Sequence, residues 1–126
     1  MILDQNIVIG IHQRLIEKTG GRTGIKDINL LNSAISSIYQ TFDGKDLYPS
    51  VIEKAARLCY QLNKNHAFID GNKRLSMHML ALFLRMHDID YRPSNKEVID
   101  IGLSLASNEM SYEALLEWIK ITVARK

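Results

Sequence analysis

The sequence has a single cysteine, no long apolar run and no recognisable signal peptide. With only Cys59 present, no disulfide can form within the chain, which is usual for proteins of reducing compartments. The longest apolar run, Met79 to Leu84, is far shorter than the roughly 20 residues that a membrane-spanning helix needs. These absences predict a reduced, cytoplasmic protein with no membrane segment.

An excess of one charge is also missing. The chain has 16 basic and 14 acidic residues, a formal net charge of +2, whereas nucleic-acid-binding proteins usually carry a larger, clustered basic excess. We therefore expect no direct binding of nucleic acid. A hydrophobic content of 46% with 24% charged residues excludes disorder of the whole chain. The 126 residues predict a single domain, residues 1–126, large enough to bury its own core.

Helical periodicity dominates the first half of the chain. Apolar residues at helical spacing predict a first helix from about Asp4 to Lys18, ended by the glycine pair at 20–21. Asp27 is the predicted N-cap of a second helix. After a loop from Asp43 to Pro49, the capping box Ser50-x-x-Glu53 predicts a third helix, with Cys59 inert on its apolar face.

The second half predicts three further helices. The fourth, from about Asn72, is apolar nearly all round at residues 79–84, which predicts a central buried helix. The capping box Ser94-x-x-Glu97 predicts a fifth helix, and Ser111 caps a sixth. The only extended piece that the pattern allows is Ile89 to Arg92. The predicted fold is all-α, a bundle of six helices.

The nine residues from His66 to Arg74 read His-Ala-Phe-Ile-Asp-Gly-Asn-Lys-Arg and hold an unusual set of reactive groups. The His66 imidazole can take a proton from an attacking hydroxyl, and the Asp70 carboxylate can hold Mg²⁺ against phosphate oxygens. A glycine–asparagine turn that opens a helix offers N–H groups to an anion, and two adjacent cations neutralise charge on a transferring group. This combination predicts a site for phosphate chemistry.

Each of these features alone has an ordinary structural explanation. A histidine after a helix is usually a surface or capping residue, Asp-Gly is a common turn, and adjacent cations are usually solvated; together, and in this order, they favour function. Phe68, two residues after His66, is predicted to turn into the core and anchor the loop. The other histidines, His12, His78 and His87, are predicted to lie at the surface or partly buried. Of these, His78 lies about one turn after Arg74 and is the candidate to face the site.

The segment His66–Arg74 resembles the H-x-F-x-[DE]-G-N-[GK]-R signature of the Fic/Doc superfamily. The N-terminal part is similar to the family's G-G-x-x-G-[IM]-x-D-x-x-x-L start, through residues 19–21, 24–27 and 30–31. The sequences Asp-Leu-Tyr-Pro at 46–49 and Glu-Lys-Ala-Ala at 53–56 resemble the segment before the active helix. The resemblance covers most of the chain and is closest to the death-on-curing (Doc) branch.

This resemblance implies a compact six-helix bundle in which the central buried helix follows the active-site loop. It implies that His66 is the general base, Phe68 the structural anchor and Asp70 the ligand of Mg²⁺, with ATP as the substrate. Gly71 and Asn72 would bind the nucleotide phosphates together with Lys73 and Arg74, which would also act in catalysis. Arg74 or Lys64 would supply the charge stabilisation, so Lys64 is included among the phosphate-binding residues.

Departures from the adenylyl-transferring members bear on the reaction. Those members have glycine where this chain has Lys73, and a second arginine where it has Met77. A lysine obstructs the pocket for the α-phosphate and supplies a cation instead. Doc-type members with this lysine are similar to a kinase that binds ATP in reversed orientation and phosphorylates a threonine of translation elongation factor Tu. Gly71, where the Doc motif often has alanine, leaves adenylyl transfer as the alternative.

The resemblance also bears on regulation. Many superfamily members carry an inhibitory helix with the pattern [ST]-x-x-x-E-[GN], and no glutamate of this chain is followed by glycine or asparagine. The resemblance therefore implies a toxin of a type II toxin–antitoxin pair, inhibited in trans by a Phd-type antitoxin that folds to a helix in an apolar groove. We expect Gly20 to Asp27 and Asp43 to Tyr48 to form the walls of that groove.

Two functions of other classes remain open. A degenerate domain that only docks a partner would not need a base, a metal ligand and a phosphate-binding turn. A metal-dependent nuclease or RNA-binding toxin that uses His66 and Asp70 would be expected to have more positive charge and interleaved aromatic and basic residues. Stabilisation by Mg·ATP but not by RNA would distinguish the transferase from both.

Overall fold

α-Helices make up most of the protein in the computed structural model, which describes residues 3–125. In this part of the chain a 3₁₀ turn, Ser37–Tyr39, and two strands, β1 (Thr41–Phe42) and β2 (Lys45–Asp46), accompany the helices. The six helices are α1 (Gln5–Thr19), α2 (Ile28–Ser36), α3 (Val51–Asn65), α4 (Asn72–Met86), α5 (Asn95–Ala106) and α6 (Tyr112–Val123). The predicted all-α fold is confirmed.

Side-chain caps begin most helices where the sequence predicts them. The Ser50 hydroxyl accepts the N–H of Glu53 at 3.0 Å, and the Glu53 carboxylate accepts the N–H of Ser50 at 3.3 Å. Ser94 and Glu97 form the same reciprocal pair at the start of α5, at 3.1 and 3.0 Å. Asp27 caps α2. These residues satisfy N–H groups that the first turn of a helix leaves without partners.

α4 contributes many of the buried core residues, and its most extensive pairing is with α3. Its buried apolar side chains are Leu75, Met77, Met79, Leu80, Phe83 and Leu84. They pack with buried residues of the other helices in one hydrophobic cluster. α4 is therefore buried as predicted, although α3, which packs against α2, α4, α5 and α6, is the helix with more neighbours. Within residues 3–125, no helix combines the length and the apolar character that crossing a bilayer requires.

The short strands do not lie where the sequence suggested an extended piece. Residues 89–92 form an irregular loop, and Tyr91 within it is buried. The strands β1 and β2 instead pair around Asp43 and Gly44, whose φ angles are +54° and +76°. Two adjacent residues with positive φ are what a tight two-residue hairpin requires. The segment predicted as a loop from Asp43 to Pro49 therefore begins with a hairpin turn.

Candidate active site

The segment His66–Arg74 crosses from the end of α3 to the first turn of α4. His66 is the C-cap of α3 and has a left-handed backbone, φ +49° and ψ +51°, which turns the chain and leaves the imidazole exposed. The segment borders a cavity of about 490 Å³. The cavity is lined by His66, Ile69, Asp70, Gly71, Asn72, Lys73, Arg74 and Ala106. Most of the predicted site residues therefore share one cavity.

Phe68 anchors the loop, as the sequence predicts, and only 2% of its surface is exposed. Ile25 pairs with Phe68 in an antiparallel β-bridge, so the loop before α2 lies against the active loop. The N–H groups of Lys26 and Asp27 both donate to the Ala67 carbonyl, at 2.8 and 3.0 Å. These contacts fix the backbone between His66 and the start of α4.

Asn72, expected at the phosphates, uses its side chain to hold the loop. Its Oδ1 accepts the Phe68 N–H at 3.2 Å, and its Nδ2 donates to the Phe68 carbonyl at 3.0 Å. The side chain is buried, and both ends of its amide have a partner. A contribution of Asn72 to anion binding would therefore come from its backbone N–H in the first turn of α4.

The N-terminus of α4 is open toward the cavity. Gly71 is its N-cap, with φ +77°, and makes no side-chain cap. The first N–H groups of a helix have no intrahelical acceptor and carry a partial positive charge, so this turn suits an anion. A Cβ atom at Gly71 would lie 2.7 Å from Cδ1 of Ile16, so an alanine here would require Ile16 to move.

Asp70 is held by backbone donors on both carboxylate oxygens. The N–H of Arg22 donates to Oδ2 at 3.1 Å and the N–H of Gly71 to Oδ1 at 2.8 Å. These bonds, that of Arg22 above all, lower the pKa of Asp70 and keep it ionised. A Cβ atom at Gly21 would lie 2.7 Å from Oδ2, so glycine is what allows the backbone at this position to approach the Asp70 carboxylate so closely.

Asp70 can serve as a ligand of Mg²⁺ that arrives with a nucleotide. Its side chain is 43% exposed, and it lines the cavity. Within residues 3–125, no group of three or more histidine, cysteine or acidic side chains is placed to hold a metal. Mg²⁺ is commonly bound by one or two carboxylates, several waters and substrate phosphates, so a single ionised carboxylate fits this ion.

The two cations of the motif differ in what they contact. The Arg74 guanidinium donates to the Gly20 carbonyl at 2.7 Å and to the Thr19 hydroxyl, at the end of α1, and lies 3.8 Å from Oδ1 of Asp70. Lys73 is exposed and takes part in none of the ion pairs within residues 3–125. Lys73 is thus the cation that is free to meet a phosphate.

Lys64 lies outside the cavity. Its ammonium contacts the Leu105 carbonyl and the side-chain oxygen of Asn108, at the end of α5, and lies 5.6 Å from the centre of the Tyr60 ring. Carbonyls at the C-terminus of a helix attract a cation. The structure therefore does not bring Lys64 to the expected phosphate position, and Lys73 and Arg74 remain the motif's cations there.

His12 contacts the active loop, which the sequence did not indicate. It is 2% exposed, contrary to the prediction of a surface or partly buried residue. Its ring stacks on Phe68 with centroids 3.8 Å apart, and its Nε2 lies 2.7 Å from the carbonyl oxygen of Asp70. Its spacing from Val8 and Ile16 on the buried face of α1 was the only local signal.

An apolar groove of about 430 Å³ adjoins the cavity and shares Lys73 and Arg74 with it. Its apolar lining includes Leu15, Met77, Ala81, Val98, Ile99 and Leu103, which come from α1, α4 and α5. Neither of the segments expected as walls, 20–27 and 43–48, lines this groove. The groove's walls depend on the packing of α5 beside α4, which the sequence pattern does not specify, and the walls expected for an antitoxin site stay a prediction.

Two other residues singled out by the sequence do not line the cavity. His78 is exposed and borders the apolar groove rather than the cavity. Cys59 is buried in the core, and its burial raises the pKa of the thiol to about 12. Because the thiolate is the reactive form, Cys59 is inert in this environment.

Comparison with known proteins agrees with this geometry. The model of the Fic/DOC family matches residues 2–84, which include the whole of the active loop. Toxin Doc of Mycolicibacterium smegmatis is 37% identical over 70 residues, which cover 56% of this chain and 54% of that protein. The chain thus spans about half the length of this relative. The family match extends over more than half of the chain, and the protein belongs to the Fic/DOC family.

Proposed function

We propose that the protein is the toxin of a type II toxin–antitoxin pair and acts as a kinase of the Doc type. It transfers the γ-phosphate of Mg·ATP to a serine or threonine hydroxyl of a target protein. The family membership and the similarity to a protein named Toxin Doc support the coarse part of this proposal. The target that the Doc resemblance favours is translation elongation factor Tu, whose modification would block translation in the cytoplasm.

Lys73 is the observation that carries the choice of a kinase. Its side chain is exposed at the first turn of α4, and it lines the cavity beside Gly71 and Asn72. An ammonium at this position fills space that an α-phosphate would occupy in an adenylyl-transferring member. It also supplies charge to a phosphoryl group in transfer.

His66 is the proposed general base. It is exposed at the cavity, where an incoming hydroxyl can reach its imidazole. The imidazole takes the hydroxyl proton while the oxygen forms a bond to the γ-phosphorus, and the bond from that phosphorus to the bridging oxygen of ATP breaks. ADP leaves, the target carries the phosphate, and the proton on His66 passes to solvent.

The first turn of α4 and the neighbouring cations balance the charge of the transfer. The N–H groups that follow Gly71 have fixed dipoles that would point toward a bound anion. They therefore need no rearrangement during the reaction. Arg74 is held against the end of α1 at the edge of the same cavity. When bound, Mg²⁺ would be held by Asp70 and would neutralise charge on the phosphates.

The apolar groove is the proposed site of a Phd-type antitoxin. It adjoins the cavity and shares Lys73 and Arg74 with it, so an apolar helix in the groove would contact both cations. Ile99 and Leu103, which line the groove, are 60% and 50% exposed, so their apolar surface is accessible to a partner. An antitoxin segment that folds on binding would bury these side chains through the hydrophobic face of a helix.

Labelled ATP tests the reaction. We expect γ-labelled ATP to mark a single protein of a cell lysate, with a mass gain of one phosphate, and α-labelled ATP to leave it unmarked. Lys73→Met should lower the transfer rate by roughly 10²- to 10³-fold, the range for loss of one charge-stabilising donor. Lys64→Met removes a cation outside the cavity and should keep most of the activity.

The same experiment identifies the alternatives. Label from the α-position, with a mass gain of one AMP, would replace the kinase with an adenylyltransferase. Lys73→Gly tests this further, because it reopens space for the opposite orientation of the nucleotide. Binding of Mg·ATP without any transfer would favour a catalytically silent docking module.

A further inference from the structure

His12 joins α1 to the backbone of the active loop. Its Nε2 lies 2.7 Å from the carbonyl oxygen of Asp70, and its ring lies face to face with Phe68 at an interplanar angle of 16°. A carbonyl oxygen can only accept, so Nε2 carries the hydrogen and donates it. A buried imidazole that donates to one loop residue and stacks on another restrains both.

The bond from His12 fixes a peptide unit that reaches the metal ligand. The Asp70 carbonyl and the Gly71 N–H belong to the same planar peptide group, so holding one sets the direction of the other. The Gly71 N–H donates to Oδ1 of Asp70 at 2.8 Å. Rotation of this peptide would therefore move the N–H away from the carboxylate and change the N-cap of α4.

We propose that His12 is a positioning residue for the phosphate site. It holds the Asp70–Gly71 peptide so that the Asp70 carboxylate and the first turn of α4 keep the geometry needed to bind Mg·ATP. The effect on phosphate transfer rests on the proposed function; the effect on the peptide does not. His12 is buried, and the Asp70 backbone separates it from the cavity, so it does not touch the substrate.

The chain offers a matched control in His87. Its Nδ1 lies 2.8 Å from the Phe83 carbonyl, and its ring lies 4.6 Å from the Phe83 ring. It therefore makes the same two kinds of contact, at the C-terminal end of α4. A general need for a histidine bonded to a carbonyl would affect both residues, whereas a positioning role would affect only His12.

Two substitutions at His12 separate its hydrogen bond from its ring. His12→Phe keeps an aromatic ring against Phe68 but loses the donor, whereas His12→Gln keeps an N–H donor and loses the ring. We expect His12→Phe to bind Mg·ATP about 10- to 100-fold more weakly by calorimetry, the usual cost of losing a residue that orients a metal ligand. His12→Gln should recover most of this loss, and His87→Phe should bind as the unchanged protein does.

Amide hydrogen exchange gives a readout that does not depend on catalysis. In His12→Phe without nucleotide, the Gly71 amide should exchange faster, while the amides of α6 keep their protection. Equal Mg·ATP affinity and equal Gly71 exchange in a folded His12→Phe protein would overturn the positioning role. Loss of binding in His12→Gln as large as in His12→Phe would also overturn it. If the unchanged protein transfers no phosphate, the proposed function fails, and the exchange data still decide the role of His12.

Discussion

The side chains of the active loop divide between holding the loop and facing the cavity. Phe68 and Asn72 are buried and hold the backbone. His66 and Lys73 are exposed at the cavity, and among residues 3–125 neither side chain takes part in an ion pair. This division makes it possible to change the chemistry of the site without unfolding the loop.

Replacement of His66 tests the general base. Because His66 has φ +49°, asparagine is a better substitute than alanine, since asparagine tolerates the left-handed region. His66→Asn should lower the transfer rate by about 10²- to 10⁴-fold, the contribution of general acid–base catalysis. The midpoint of thermal unfolding should stay close to that of the unchanged protein. Full toxicity of His66→Asn at equal expression would contradict the assignment.

Replacement of Asp70 should act on the metal rather than on the proton transfer. Asp70→Asn keeps an oxygen that can accept the Arg22 N–H but removes the charge that Mg²⁺ requires. We expect the Mg²⁺ concentration for half-maximal activity and for ATP binding to rise together. Asp90→Asn, which changes a carboxylate paired with Arg92 outside the cavity, is the control. Identical Mg²⁺ titrations for the three proteins would exclude a ligand role.

At the level of elements, Glu97 of the capping box that begins α5 also forms an ion pair. Arg125 donates to both oxygens of the Glu97 carboxylate, each at 2.7 Å. These bonds, followed by the N–H of Ser94, lower the pKa of Glu97 to about 2 from its ordinary value of 4.5. The unfolded chain therefore binds the proton at higher pH than the folded protein does. The contribution of Glu97 to stability is complete above the unfolded pKa and is lost as the pH falls through the folded pKa.

This pair gives a prediction for acid unfolding. Between about pH 5 and pH 2, the free energy of unfolding of the unchanged protein should fall more steeply than that of Glu97→Gln. Denaturant titrations at several pH values measure both slopes. Glu53→Gln is the matched control, because Glu53 has the same place in the Ser50 capping box and makes no ion pair within residues 3–125. Equal slopes for all three proteins would contradict the role of the pair.

The elements were predictable from the sequence where their causes are local. The capping boxes at Ser50 and Ser94 depend on residues three positions apart, so the sequence places both helix starts. The Asp43-Gly44 turn is also local, but its flanking strands have two residues each, too few to show alternation. His12 and Lys64 were misjudged because their partners, Asp70 and Leu105, lie 58 and 41 residues away.

At the scale of the whole molecule, the cavity and the apolar groove meet at the first turn of α4. Lys73 and Arg74 line both, so a partner that binds in the groove can also influence nucleotide binding in the cavity. The sequence could not locate the groove, because its walls come from α1, α4 and α5, which only tertiary packing brings together. The hairpin and the loop before α2, which we expected to form the walls, do not line this groove.

The groove predicts which surface residues an antitoxin needs. Ile99→Glu or Leu103→Glu places a charge on the apolar wall and should weaken binding of a Phd-type partner by roughly 2 kcal/mol or more, the value of one large apolar side chain. Ile121→Glu, which changes an equally exposed residue of α6 outside the groove, should leave binding unchanged. Mg·ATP binding should be the same in all of these proteins.

The growth of cells that express these proteins measures both the toxicity of the chain and its neutralisation by the antitoxin. We expect the chain expressed alone to stop growth, and co-expression of the neighbouring open reading frame to restore it. Ile99→Glu and Leu103→Glu should remain toxic when the partner is present, whereas Ile121→Glu should be neutralised like the unchanged protein. Neutralisation of all the variants would remove the groove as the antitoxin site. A lone chain that is folded, binds Mg·ATP and does not affect growth would contradict the toxin proposal, because a free and competent active site would then have no target in the cell.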